Sequence, residues 1–265
     1  MPWIFRMLHI DVAGHGPELV LLHGWGMHSG MWGEWLGHLQ CCFRVTAVDL
    51  PGHGNSRFQG QRALEEWAAA VLQVTPPRAW WVGWSLGGLV GLAAADKARN
   101  RFNGLLLLAS TPRFVADEHW RHAVSAEVFS QFAQQLEPDA ERTLSRFLAL
   151  QVRGAERGNE TLRRLRADLR SRPAANPAAL RVGLRFLQEC DLRDVIRALD
   201  MPLFWLLGER DTLIPAHLAL DFPAIGSMVI SGAGHAPFLS HPRQCADYVK
   251  RHLLTSQGYR QDATC

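Results

Sequence analysis

Ser85 lies in the segment Trp80-Trp81-Val82-Gly83-Trp84-Ser85-Leu86-Gly87-Gly88, where an apolar strand pattern meets Gly-x-Ser-x-Gly and then a helical pattern. A chain that turns from strand to helix within about one residue strains the backbone of the serine and projects its hydroxyl into a cleft. Small glycines fit on either side because backbone crowds such a turn. The helix that follows directs its first N–H groups towards developing negative charge. The segment therefore predicts a nucleophilic serine.

A nucleophilic serine needs a base and an acid that orients the base, here in the chain order serine, acid, histidine. We predict Asp211 as the acid, because it follows the apolar strand pattern 203–207 and a turn glycine. Glu209 is an alternative that lies nearer the strand end, where a structural role is favoured. Asp211 could also cap the segment 212–215, which leads towards a helix.

The base is predicted at His235, in the Gly-rich loop 231–238 that follows the last strand pattern. Such a loop can carry the imidazole over Ser85, where it takes the hydroxyl proton and later gives it to the leaving group. Of the twelve histidines, His235 alone follows Asp211 at a strand-to-loop position. A purely structural histidine is the alternative, and the order of the motifs disfavours it.

A second apolar strand pattern ends in His23-Gly24-Trp25-Gly26. We predict that the backbone N–H groups of Trp25 and Leu86 face the oxyanion that forms during ester cleavage. His23 is interpreted as a structural anchor of this loop. Asp49 and His53 resemble a catalytic pair, but Asp49 precedes the serine, so a tight, well-bonded turn is predicted there.

Apolar, β-branched or aromatic segments alternate with helical patterns, which predicts an α/β fold with a mostly parallel sheet and helices on both faces. Strands are predicted at 3–10, 18–22, 44–48, 79–82, 104–109, 203–207 and 227–230. Helices near the site are predicted at 63–72, 86–97 and 243–254.

Residues 112–198 break this alternation, because they contain no convincing strand pattern. Amphipathic helices are predicted there at 123–135, 140–150, 160–170 and 177–187. A segment this long is unusual for a single crossover, so we interpret 112–198 as a helical cap inserted into a core of residues 1–111 and 199–265. Ordinary crossover helices are the alternative.

Composition narrows the class of protein. A chain of 265 residues with 48% hydrophobic residues suits one large α/β domain, and its apolar residues are too dispersed for a membrane span. The N-terminus lacks a secretory pattern. Five cysteines without metal-ligand spacing favour free thiols in a reducing cytoplasm and no metal site. A net charge of +3 does not indicate nucleic acid as a partner.

Together, these signals resemble the α/β-hydrolase superfamily over essentially the whole chain. The finer motifs are similar to those of the BioH-type pimeloyl-[acyl-carrier protein] methyl ester esterases; they stand at 23–27, 48–54, 81–90, 146–151 and 234–242. The likeness weakens after about Arg153 until the next core strand. It implies a serine esterase of biotin biosynthesis, which releases methanol from the methyl ester of pimeloyl-[acyl-carrier protein] without any cofactor.

The predicted cap is strongly basic. Residues 142–185 hold eleven arginines against three acids, a balance that suits an acidic partner. The resemblance implies that Arg142, Arg146 and Arg163 contact the acyl carrier protein. A solvated arginine-rich surface is the alternative.

The resemblance also implies a channel for the acyl chain. Trp25, Trp84 and Phe147 are predicted to line it, although each could be an ordinary core residue. Other functions stay open: a general carboxylesterase, a C–C bond hydrolase, or a binding protein without activity. We expect a cytoplasmic monomer.

Overall fold

The computed structural model describes residues 8–121 and 123–255, and within them seven strands form one sheet. Across the sheet the first strand runs antiparallel to the third, and all other neighbours are parallel. The spatial order is β1-β3-β2-β4-β5-β6-β7. In chain order the strands are β1 (Ile10–Ala13), β2 (Glu18–Leu22), β3 (Arg44–Val48), β4 (Ala79–Trp84), β5 (Phe102–Leu108), β6 (Leu203–Gly208) and β7 (Gly226–Ile230).

Helices cover both faces of the sheet, which confirms the predicted α/β class. The flanking helices are α1 (Gly33–Leu39), α2 (Leu64–Val74), α3 (Leu86–Lys97), α9 (Pro237–Ser240) and α10 (Pro242–Thr255). Between β5 and β6 lie α4 (Ala126–Leu136), α5 (Ala140–Gln151), α6 (Gly158–Leu169), α7 (Pro177–Glu189) and α8 (Arg193–Ala198), which we call the inserted helices. Short 3₁₀ turns stand at Ser29–Trp32, Arg99–Arg101 and Ala216–Asp221.

The core has two layers because successive residues of a strand point to opposite faces of the sheet. In β2, Val20 and Leu22 pack with α2 and α3, whereas Leu19 and Leu21 pack with α1 and α10. Strand β4 is buried along its whole length. Continuous burial on both faces is expected for a central parallel strand, and it gives the residue after β4 a rigid support.

The predicted position of the first strand was wrong. It was predicted at 3–10, of which 3–7 lie outside the described residues, and the structure places β1 at Ile10–Ala13. The reason is pairing: these four residues match Val45–Val48 of β3 one to one. As an edge strand, β1 keeps Val12 exposed, so its hydrophobic pattern gave little signal.

Helix α7 is one of the inserted helices that contact the core. The side chain of Asn176 accepts hydrogen bonds from the first N–H groups of this helix, and its own N–H donates to the carbonyl of Gly52 over 2.7 Å. A Cβ on Gly183 of α7 would lie 3.0 Å from Trp25 and 3.1 Å from Leu86. The helix therefore packs directly on the two residues that were predicted to form the oxyanion hole.

Candidate active site

Ser85 occupies the turn between β4 and α3 with φ 52° and ψ −118°, a conformation that few residues other than glycine adopt. The turn is held by backbone contacts. Ser85 N–H donates to the carbonyl of Leu108 (3.1 Å), and the hydroxyl of Ser110 donates to the carbonyl of Ser85 (2.7 Å). Strain that is held by its surroundings is typical of a functional position.

The glycines of the motif are required by crowding. A Cβ on Gly83 would lie 2.4 Å from the carbonyl oxygen of Gly87, and one on Gly87 would lie 2.3 Å from that of Leu22. Any larger residue would push α3 away from the sheet. The strand-to-helix turn therefore depends on the small residues that the sequence places there.

Asp211 and His235 form a buried pair. Nδ1 of His235 and Oδ2 of Asp211 lie 2.8 Å apart, and both side chains are fully buried. The other oxygen, Oδ1, accepts from the N–H groups of Leu213 (2.8 Å) and Ile214 (3.0 Å). The capping role and the orienting role of Asp211 are thus compatible, since each uses a different oxygen.

Glu209 lies in a different environment. Its carboxylate accepts from the N–H of Gly232 (2.8 Å) and the hydroxyl of Ser231 (3.0 Å), and these two contacts lower its pKa. It therefore supports the loop that leads to His235, as the structural interpretation of this residue expects.

His235 is held on three sides. Its N–H donates to the carbonyl of Gln151 (2.9 Å), its carbonyl accepts from the indole N–H of Trp84 (2.7 Å), and Nδ1 meets Asp211. Its Nε2 is buried and has no hydrogen-bond partner among the described residues, so it is not bonded to Ser85 in this structure. With Nδ1–H donated to the carboxylate, Nε2 is the atom that can accept a proton.

The predicted oxyanion donors lie beside Ser85. A Cβ on Gly24 would be 3.2 Å from the Cβ of Ser85, so the peptide that carries the N–H of Trp25 adjoins the nucleophile. Leu86 is the next residue and begins α3. Within the described chain, neither of these two N–H groups donates a backbone hydrogen bond. Both are free to bind an oxyanion, and this role stays a prediction.

His23 anchors this loop. Its Nε2 accepts from the N–H of Leu50 (2.9 Å), and its Nδ1 contacts the carbonyl of Gly24 (2.8 Å). Nε2 of His53 similarly accepts a hydrogen bond from the N–H of Gly26 (3.3 Å). Burial lowers the pKa of His23 to about 3 and that of His53 to about 4, so both rings are neutral supports.

Asp49 belongs to the turn rather than to the triad. It is fully buried and accepts from the N–H groups of Ser29 (2.6 Å) and Asn55 (2.8 Å). Arg172, from the segment between α6 and α7, also donates to the carboxylate of Asp49 (2.9 Å) and to that of Asp11 (2.5 Å). Nothing in the sequence singled out Arg172, because its partners lie far away along the chain.

The three predicted channel residues separate into two groups. The rings of Trp25 and Phe147 make an edge contact at 4.9 Å, and the Trp25 indole N–H donates to the carbonyl of Leu180 (2.8 Å). Trp84 instead packs on Phe238 and supports His235. Its contacts give it a positioning role that the sequence did not indicate.

The predicted docking arginines lie on the exposed surface of the inserted helices. Arg142 and Arg146 stand one turn apart on α5, and Arg163 lies on α6, which packs against α5. In the part of the chain that the structure describes, none of the three forms an ion pair; Arg146 donates to the side chain of Gln135 (2.6 Å). Arg146 also borders an open cavity of about 960 Å³, together with Arg153 and other residues of α4, α5 and the start of α6.

Among the described residues, no cluster of three or more His, Cys, Asp or Glu side chains could hold a metal ion. No helix there has the length and apolar character needed to cross a bilayer.

Comparison with known proteins now defines the class. Residues 17–242 match the family model of the alpha/beta hydrolase fold. The esterase EaEST from Exiguobacterium antarcticum shares this fold, with a TM-score of 0.81, 18% identity, and coverage of 93% of this chain and 95% of that one. The fold class predicted from the sequence is therefore confirmed.

Curated relatives define the family within that class. The pimeloyl-[acyl-carrier protein] methyl ester esterase of Xanthomonas axonopodis pv. citri (strain 306) is 42% identical over 252 residues, 94% of this chain and 99% of that protein. The protein of the same name from Methylococcus capsulatus (strain ATCC 33009 / NCIMB 11132 / Bath) is 42% identical over 253 residues, with the same coverage. The chain belongs to this family of α/β-hydrolases and is a carboxylic ester hydrolase, which confirms the resemblance seen in the sequence.

Proposed function

We propose that this esterase hydrolyses the methyl ester of pimeloyl-[acyl-carrier protein] to pimeloyl-[acyl-carrier protein] and methanol, as a step of biotin biosynthesis. The names of the curated relatives support the substrate. One geometric observation carries the chemistry: the buried 2.8 Å contact between His235 and Asp211, which leaves Nε2 of the histidine without a partner among the described residues. The absence of a cofactor requirement stays a prediction.

In the proposed reaction, the hydroxyl of Ser85 attacks the ester carbonyl while Nε2 of His235 takes its proton. The carboxylate of Asp211 stabilises the imidazolium that forms. The proton then passes to the methoxy oxygen, methanol leaves, and an acyl-serine remains. A water molecule then attacks the acyl-serine while Nε2 of His235 takes its proton. The proton passes to the oxygen of Ser85 as the bond between serine and acyl group breaks, and the free carboxylate is released.

The oxyanion of each tetrahedral intermediate lies between the N–H groups of Trp25 and Leu86. A donor of this kind contributes on the order of 3 kcal/mol to the transition state. Here the donors need no rearrangement, because Ser110 fixes the turn at Ser85 and His23 fixes the loop at Gly24. Preorganised donors of this kind stabilise the transition state more than mobile groups do.

The inserted helices act as the cap in this proposal. The acyl chain passes between them and the core, along the edge-packed rings of Trp25 and Phe147. The carrier protein docks on Arg142, Arg146 and Arg163, whose side chains are exposed and form no ion pair in the described chain. Complementary charge of this kind mainly raises the association rate and sets the orientation. The protein acts as a cytoplasmic monomer.

The substrate proposal is tested by comparing kcat/KM for methyl pimeloyl-[acyl-carrier protein] and for a free short-chain methyl ester. The double variant Arg142→Glu, Arg146→Glu is expected to lose roughly tenfold or more on the carrier-bound ester, with the free ester unchanged. Arg78→Glu, Arg181→Glu changes two exposed arginines elsewhere and serves as the control. Equal effects on both substrates, or cleavage of free esters alone, would favour a general carboxylesterase.

A further inference from the structure

A second cavity, of about 1020 Å³, lies between the core loop that follows β3 and the inserted helices α5, α6 and α7. None of Ser85, Asp211 and His235 lines it. We call it the arginine-rimmed cavity, after Arg57, Arg166, Arg170 and Arg172 in its lining.

Apolar side chains form its walls. Leu144 and Leu148 come from α5, Leu169 from α6, Leu180 from α7 and Phe58 from the core loop. Cavities of this size with mostly apolar walls and a few polar groups are typical of small-molecule sites. The walls therefore suit an alkyl chain.

Two of these leucines, Leu144 and Leu180, lie between the cavity and the loop that holds Trp25 and Gly26. A Cβ on Gly26 would lie 2.3 Å from the side chain of Leu144, and the carbonyl of Leu180 accepts the indole N–H of Trp25. The cavity thus lies behind the loop that borders Ser85. A ligand there occupies a different space from an ester bound at the nucleophile.

The rim carries unpaired positive charge. Arg57, Arg166 and Arg170 are exposed and form no ion pair in the described parts of the chain; the one side-chain contact of Arg166 is a 3.4 Å approach to the hydroxyl of Ser145. Arg172 is already bound to two carboxylates. Glu141 is the one acid among the lining residues. The rim therefore has three guanidinium groups available to an anion.

We propose that the arginine-rimmed cavity binds a free carboxylate that carries a medium-length alkyl chain, such as a fatty acid. Guanidinium groups bind a carboxylate through two parallel hydrogen bonds, and here they stand at the mouth of an apolar space. A phosphate would also meet the arginines, but a compact, strongly hydrated ion would leave the leucine walls without a partner. The shape and the charge of the cavity together favour an anion-headed chain.

The site lies outside the proposed function, since binding there needs neither Ser85 nor the carrier protein. Calorimetric titration of the Ser85→Ala protein with octanoate tests it, with octanol and inorganic phosphate as further probes. We expect octanoate to bind, and octanol and phosphate each to bind at least roughly tenfold more weakly.

Two variants locate the ligand. Arg166→Gln, Arg170→Gln is expected to weaken octanoate binding roughly tenfold or more, because it removes two charge-assisted partners. Ser145→Trp, which fills the cavity from α5, is expected to abolish binding. Arg78→Gln, Arg181→Gln removes the same charge elsewhere and should bind octanoate as the parent does.

The proposal is overturned if octanoate does not bind, if phosphate binds as tightly, or if the rim and filling variants bind octanoate normally. Because Ser85→Ala is the parent, these results do not depend on whether the methyl ester is the substrate.

Discussion

The backbone N–H of His235 donates to the carbonyl oxygen of Gln151, the last residue of α5, over 2.9 Å. Glu156, in the connection between α5 and α6, contacts the same region of the core. Its N–H donates to the carbonyl of Gly232, and its carboxylate pairs with Arg210 at 3.0 Å. The loops that hold the histidine and the aspartate therefore rest against the inserted helices. The same helix, α5, carries Arg142 and Arg146, two of the three arginines proposed to dock the carrier protein, on its exposed surface.

Gly234→Ala tests this contact. A Cβ at that position would lie 2.8 Å from the carbonyl oxygen of Gln151 and 3.2 Å from the Cβ of Ala155, so the His235 loop must shift. We expect kcat for a small ester to fall by roughly tenfold or more, since small displacements of catalytic groups are costly. Gly37→Ala is the control, because nothing lies within 4 Å of its Cβ. Normal kcat in Gly234→Ala would mean that the contact does not position His235.

Asp211→Asn separates the orienting role of this residue from its capping role. The amide oxygen can still accept from Leu213 and Ile214, but the side chain no longer stabilises the imidazolium of His235. We expect kcat to fall by about 10³–10⁴ with little change in the free energy of unfolding. Glu209→Gln should keep kcat within about twofold, because its contacts are structural. If the two variants exchanged these effects, the acid of the triad would be Glu209.

Acid stability depends on two buried histidines, His23 and His53, which support the loop at Gly24 and Gly26. Their folded-state pKa values, about 3 for His23 and about 4 for His53, lie below the ordinary 6.5. As the pH falls below 6.5, these two histidines become protonated in the unfolded chain but stay neutral in the folded chain. The free energy of unfolding therefore falls by about 1.4 kcal/mol per pH unit for each histidine until its folded pKa is reached.

Urea unfolding at pH 7 and pH 5 measures this dependence. In His53→Gln we expect the loss of stability between the two pH values to be smaller than in the wild type by roughly 2 kcal/mol. His15→Gln, at an exposed position, is the control. An unchanged loss in His53→Gln would mean that another group causes the acid sensitivity.

Arg172 joins the inserted helices to the core through Asp49 and Asp11. Replacing it by methionine leaves the buried carboxylate of Asp49 without its cation, although two N–H donors remain. We expect Arg172→Met to lower the free energy of unfolding by about 2–4 kcal/mol in urea titration. Arg181→Met, at an exposed position, should change it by less than about 0.5 kcal/mol. Equal stabilities of the two variants would argue against the ion pair.

The sequence predicted those parts that local pattern determines. The Gly-x-Ser-x-Gly turn was predictable because crowding at Gly83 and Gly87 excludes other residues, and the central strands because burial on both faces makes them apolar. The order of Ser85, Asp211 and His235 indicated the triad before any distance was known, and the structure brings Asp211 to His235.

The parts that the sequence could not predict depend on contacts between distant segments. Ser110 could have been suspected from its position just after β5, yet its bond to the carbonyl of Ser85 has no local signal. The same holds for Gln151 and Arg172, whose partners lie in other segments. For Trp84, adjacency to the nucleophile suggested a channel wall, whereas its indole N–H holds the His235 carbonyl.

The central claim is that Ser85 carries out methyl ester cleavage on the carrier-bound chain. Its most direct test incubates the pure protein with methyl pimeloyl-[acyl-carrier protein] and follows both methanol release and the mass of the acyl carrier. Wild type is predicted to convert the carrier to its free-carboxylate form with one methanol per chain, and Ser85→Ala to leave it unchanged. Methanol release by Ser85→Ala at the wild-type rate, or no release by the wild type while it cleaves small esters, would contradict the account.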